Sequence, residues 1–232
     1  DGVFNQDDFI LFYGQGVVTW TYDQKEELYH HEVNDYSGNS YYYLTSSLGA
    51  GKKIESVPVV GEPSDTIITS FDDHDYHERN LYNLIKSGRQ WFGEKFDYST
   101  SFDTLFSFPN LVTTSPVLLH TNVASRSASI RNFNVNINNR LNEVISVSSI
   151  NIQDNVGTFA RQNDKVIQFL NNDDNIAVSI TYDKYENSDE GWLDYLTINA
   201  RRHLSLTTSP LFFRDIQSVH PEKIAEFRIQ NA

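Results

Sequence analysis

"NIAVSITYD", Asn175 to Asp183, is the stretch that decides the fold class. In an extended chain Ile176, Val178, Ile180 and Tyr182 fall on one face, and Ala177, Ser179 and Thr181 on the other. Strict period two over this length is the pattern of a strand buried on one side, as in antiparallel sheets. "RNFNVNINN" repeats it, with Phe133, Val135 and Ile137 set against Asn132, Asn134 and Asn136. Further strand candidates run the length of the chain: "DFILFYG", "VVTWTY", "SYYYLTSS", "KKIESVPVV", "DTIITSF", "PVLLHTNVASRSAS", "EVISVSSINI", "KVIQFL" and "GWLDYLTINARRHL". Turn material such as "SLGAG", "GEPSD", "NNR" and "NNDDN" separates them. So many short strands predict an all-β protein, an antiparallel β-sandwich or jelly roll with a small N-terminal β-module.

One stretch reads differently. In "HDYHERNLYNLIKSGRQWFGEKF", His74 to Phe96, Asp75 and Glu78 have the spacing of a helix capping box. Leu81, Leu84 and Ile85 then form a short apolar stripe, and Gly88 supplies a left-handed stop. This predicts one short helix near residues 76–87, clipped onto the sandwich. Composition shifts near residue 70, from "GEPSDT" to the acidic "DDHD". The expected division is therefore an N-terminal β-module over 1–70 and the sandwich over 71–232.

Composition narrows the function. The 232 residues are 39% hydrophobic and 13% aromatic, enough for a packed core rather than disorder. A formal net charge of −13 disfavours nucleic acid and anionic lipid as partners. The chain has no cysteine, which excludes disulfides, thiolate metal sites and a cysteine nucleophile from within it. No apolar run approaches the ~20 residues of a membrane-spanning helix, so no direct membrane span is expected. The opening "DGVFNQDD" is not a signal peptide, so the chain is either soluble as it stands or cut from an export segment.

The candidate chemistry is thin. His74 and His77 are three apart, whereas a zinc helix pairs histidines four apart around a glutamate. His30 and His31 read as loop residues. "DDHD" and "NNDDN" lack the spacing and closing glutamate of a calcium loop, and "GQG" lacks the third glycine of a dinucleotide fingerprint. No "GxSxG" elbow is present and no carboxylate pair stands out. The expectation is no catalytic residue, no metal and no cofactor. What remains is Arg89, Trp91 and Phe92, an aromatic cluster beside Gly88 and Gly93 that suits an interaction surface. Trp91 is either an exposed anchor or a ring folded under its loop. Trp20 and Trp192, in strand-like settings, read as core.

Several fragments together resemble a known family. "DFILFYGQGVVTWTYD", "HHEVNDYSGNSYYYLTSSLGAGKKI", "HERNLYNLIKSGRQWFGEKF" and "LDYLTINARRHLSL" are similar, in this order, to the region ahead of the catalytic domain in PorU-type sortases. Those are the cell-surface sortases of type IX secretion, relatives of the gingipain cysteine peptidases. In that family a cysteine and a histidine in a later α/β domain do the chemistry, so no catalytic residue carries over to this chain. The resemblance implies a non-catalytic assembly or docking region at the extracellular face of the outer membrane. It implies as partners the downstream catalytic domain of the same protein, a PorV-like outer-membrane barrel protein and secreted cargo. The full-length parent would cleave C-terminal signals from cargo and attach the cargo to the cell surface. The competing reading is a carbohydrate-binding jelly roll with exposed aromatics. A glycan site calls for a groove lined by Trp or Tyr; docking calls for an apolar patch with a polar rim.

Overall fold

The computed structural model describes residues 6, 9–45, 47, 49, 61–88, 90–154, 156–207 and 210–231. The chain forms two compact units, residues 1–61 and 62–232. In the first, β1 (Val18–Asp23) and β2 (Leu28–Val33) make an antiparallel hairpin. The Asp23 carboxylate accepts the amides of Lys25 and Glu26, and Glu27 takes a positive φ of 55°, which together close the turn. His30 and His31 lie in β2, opposite Thr21 and Trp20, and not in a loop as the sequence suggested. Cross-strand ring pairs on the hairpin explain the difference: Trp20 with His31 at 5.5 Å and Tyr22 with Tyr29 at 5.0 Å. "DFILFYG" and "SYYYLTSS" form no ladder among the described residues, and "KKIESVPVV" (52–60) lies outside them.

The second unit is the sandwich. Its strands are β3 (Thr66–Ile68), β4 (Ser70–Glu78), β5 (Lys95–Phe96), β6 (Ser101–Ser107), β7 (Val117–Arg126), β8 (Arg131–Ile137), β9 (Leu141–Val147), β10 (Arg161–Phe169), β11 (Asn175–Tyr182), β12 (Glu190–His203) and β13 (Ala225–Phe227). One sheet runs β10-β7-β12-β4, with β5 also paired to β12; the other runs β6-β11-β8-β9. Pairing within both is antiparallel. β3 and β13 form a separate parallel pair. The core lies between the two large sheets, with Leu119, Val123, Leu196 and Ile198 meeting Val135, Ile145, Val178 and Ile180. The alternating residues of β8 and β11 are thus the ones buried. Asn138 and Asn139 both take positive φ in the β8–β9 turn, the geometry that matches hairpin twist. Gly191 is required by a close approach, because a Cβ there would meet the Phe133 ring at 2.9 Å and the Tyr182 ring at 3.0 Å.

The predicted helix is absent. Asp75 and Glu78 sit in β4, paired with Ile198 and Tyr195 of β12, so they cap nothing. Across residues 70–78 the ladder to β12 is continuous, and a nine-residue pairing outweighs a local capping signature. The stripe offered little in return: Leu81 and Ile85 are exposed, and Leu84 is half-buried.

Charges otherwise unusual for a strand are answered across the β4–β12 ladder. Arg201 donates to Asp72 at 2.6 Å, to Asp215 at 2.8 Å and to Ser70 at 2.9 Å. Asp72 also accepts the Ile216 amide at 2.9 Å. Arg202 donates to Asp73 at 2.7 Å and lies 5.2 Å over the Phe71 ring. The Asp215 side chain is 0% exposed, with Arg201 as its ion-pair partner. Arg201→Ala is expected to destabilise the fold by roughly 3–5 kcal/mol, read from the shift in chemical denaturation, because it strands two carboxylates together.

Candidate functional site

The site is built where one edge of β12 changes partner. β4 pairs with Tyr195 to His203, and β5 pairs with Gly191 and Trp192. Between them the chain leaves the sheet at Arg79 and returns at Gly93, whose amide donates to the Leu193 carbonyl at 2.7 Å. A Cβ on Gly93 would stand 3.1 Å from the Arg79 carbonyl and 3.3 Å from that of Leu193, so the crossing is tight for any side chain. The excursion is closed by a bridge between Tyr82 and Phe92. It is braced by Asn83, which accepts the Ser87 amide at 2.9 Å and donates to the carbonyls of Gly88 and Gln90 at 3.3 Å. This is a compact surface loop held by its own side chains. Gly88 has a φ of 88°, the left-handed geometry its sequence setting implied, at a bend of the loop rather than at a helix end. At the base, Glu94 bonds His77 at 3.0 Å and Arg79 at 3.5 Å. Burial pushes the Glu94 carboxyl up, but those partners hold it below its usual range.

Between this loop and the start of β10 lies a groove of about 310 Å³. Leu84, Ile85, Phe92, Phe159 and Ala160 supply its apolar walls, and Ser87, Gln90 and Gln162 its polar rim. Phe92 is also part of a buried cluster with Ala124 and Trp192 on the outer face of the sheet. Arg126 fixes the far wall: its guanidinium lies 4.3 Å over the Phe159 ring and donates to the carbonyls of Phe159 and Ile152. The arrangement offers apolar contact edged by hydrogen-bonding groups.

Asp194 lies beside it. Leu193 pairs with Val123 and Tyr195 with Asn122, which leaves Asp194 as the extra residue of a β-bulge. Gln90 Nε2 approaches its carboxylate at 3.4 Å while donating to Gln162 at 2.9 Å. Burial, followed by the charge of Glu78, pushes the Asp194 carboxyl up to about 7 against the weaker pull of Gln90.

The two aromatics singled out in the sequence part company. Trp91 is 39% exposed, whereas Phe92 is 3% exposed and forms part of the groove. Arg89 lies outside the described residues. Gln90, Phe159, Gln162 and Asp194 escaped the sequence reading. The one signal was Asp194 itself, an acid that breaks the period in "GWLDYLTI" as a bulge does.

Neither a family model nor a curated protein matches the chain. Among solved structures, dimeric latent PorU from Porphyromonas gingivalis is similar, with a TM-score of 0.77 and 21% identity, over 95% of this chain and 21% of that one. The fold is that of a segment of PorU. The chain thus spans about a fifth of the length of the PorU chain it matches. A partial likeness links it to the CBM36-1 domain of a multidomain xylanase from the hindgut metagenome of Trinervitermes trinervoides. That likeness has a TM-score of 0.35 and 10% identity, over 54% of this chain and 96% of that one. Another links it to a carbohydrate-binding module CBM36 in complex with calcium and xylotriose, with a TM-score of 0.32 and 11% identity, over 56% and 99%.

Because Asp194 titrates near 7 when folded and near 3.8 when free, its contribution is fully present below pH 3.8 and lost as pH rises through 7. Asp194→Asn is therefore expected to stabilise the protein at pH 8, by up to about 4 kcal/mol, and to have little effect at pH 4. Denaturation midpoints of both proteins across this range provide the check.

Proposed function

We propose that this chain is a non-catalytic N-terminal assembly or docking region of a PorU-like cell-surface sortase, working at the extracellular face of the outer membrane. The supporting observation is the fold likeness to PorU along 95% of the chain. The absence of any cysteine fits a region that leaves the chemistry to another domain. In this reading the parent cleaves C-terminal signals from cargo and attaches the cargo to the cell surface. The region's partners are the parent's catalytic domain, a PorV-like barrel protein and the cargo.

The groove walled by Phe92 favours docking over the carbohydrate-binding alternative. Its walls are Leu, Ile and Phe, rather than the Trp and Tyr faces on which sugar rings stack. Trp91 and the groove then serve as one contact surface, with Arg89 assigned to it by its place in the sequence.

The residues that follow Ala232 test the parentage: an α/β domain bearing a cysteine and a histidine is expected, and a stop codon there overturns the reading. Two substitutions test the surface. Phe92→Ala is expected to cost roughly 3–5 kcal/mol of stability, since the ring is buried. Trp91→Ala should leave stability nearly unchanged and weaken binding to the parent's catalytic domain by about 2 kcal/mol, measured by calorimetry. A large stability loss for Trp91→Ala with intact binding would assign that ring to the core.

A further inference from the structure

We propose that Phe9–Tyr13 and Tyr41–Leu44 form a docking ribbon that joins, as added strands, a β-sheet in the remainder of the parent chain. The proposal rests on the PorU-like reading and names a second surface, in the first unit, through which such a region would be held.

Phe9, Ile10, Leu11, Phe12 and Tyr13 are consecutive, and each is 56–85% exposed. Tyr41, Tyr42, Tyr43 and Leu44 are 50–94% exposed. A strand with one wet face alternates apolar and polar residues; "FILFY" has no polar face and suits burial on both sides. The two segments are already held together, with the Phe12 and Tyr42 rings 5.7 Å apart and the Tyr42 hydroxyl donating to the Gln15 carbonyl. Among the described residues, neither segment makes a backbone–backbone hydrogen bond, so none of these residues occupies their N–H and C=O edges. Six aromatic side chains at this exposure amount to on the order of 600 Å². That is the top of the range for a patch on a monomer and close to the ~800 Å² per partner of a stable interface.

The occupant follows from the chemistry. Lipid does not suit segments outside any helix or ladder, whose backbone groups would enter hydrocarbon unpaired. The hairpin between them also carries Asp23, Glu26, Glu27, Glu32 and Asp35 against Lys25, which repels anionic headgroups. A second copy brings another −13 of charge, and two-fold pairing of one strand covers one edge while leaving the other open. A sheet with an open edge and an apolar layer satisfies backbone and side chains together, the mode of strand addition. The chain spans only 21% of the PorU chain it resembles, so most of such a parent is available to supply that sheet.

Amide hydrogen exchange on peptides covering residues 9–13 and 41–44 tests this, in the present chain and in the full-length parent. Exchange is expected to be fast in the chain alone and at least 100-fold slower in the parent. In the parent, the double variant Leu11→Lys, Tyr43→Lys should restore fast exchange, and in the chain alone it should leave the melting temperature unchanged. Slow exchange already in the chain alone overturns the proposal. So does protection that appears only in a parent dimer, or only on adding vesicles of anionic phospholipid. Fast exchange in a parent that carries the α/β domain overturns the ribbon while the PorU-like reading stands. A stop codon after Ala232 overturns both.

Discussion

The architecture depends on β12 holding three neighbours at once. Fourteen residues of strand extend about 46 Å, long enough for β7 along one edge and for β4 and β5 in succession along the other. Because two strands share that edge, the chain must leave and re-enter it, and the loop from Arg79 to Gly93 is the result. The bulge at Asp194 falls at the same handover, where the ladder is interrupted and an extra residue can be accommodated. Loop, groove and buried acid are therefore one consequence of sharing an edge.

How much of this was legible depended on whether the decisive interaction was local. β8 and β11 were visible because each buries one face, so Phe133, Val135, Ile176 and Val178 alternate in the sequence as they do in the core. β4 was not visible, because "SFDDHDYHE" has a composition that strands avoid. Its stability comes from β12, with Asp72 and Asp73 answered by Arg201 and Arg202, more than a hundred positions away. β6 escaped because it lies at a sheet edge, where only Phe106 is buried along its length. At the groove, Phe92 was found as part of an aromatic cluster. Phe159 and Gln162 were not, since nothing local signals that they meet a loop seventy residues upstream.

The acidic balance of the chain is likewise handled by pairing at particular places. Asp189, 1% exposed, accepts from Arg131 at 2.6 Å and from the amides of Tyr185 and Glu186. Burial pushes its carboxyl up, yet the Ser127 hydroxyl and those donors together hold it below its usual range. Lys95 similarly sits between Asp97 and Glu190, and Lys184 bonds Asp97 from the other side. Asp194 is the contrast, with a neutral glutamine as its partner and Glu78 nearby. Most of the buried acids hold the sandwich together; this one sits at the candidate site with its charge unanswered.

The parallel pair of β3 and β13 gives the sandwich a mechanical character. The chain enters through β3 and returns through β13, joined by Thr66 with Ala225, Ile67 with Glu226 and Ile68 with Phe227. Further bonds flank the pair, from Asp65 to Ile224 and from Arg228 to Ile68. In a parallel pair the incoming end of one strand and the outgoing end of the other lie at opposite ends of the ladder. Tension pulling those ends apart therefore loads the hydrogen bonds in shear, all together, instead of peeling them one at a time. Force reaching the sandwich through residues 62 and 231 would meet this latch before it reached the core.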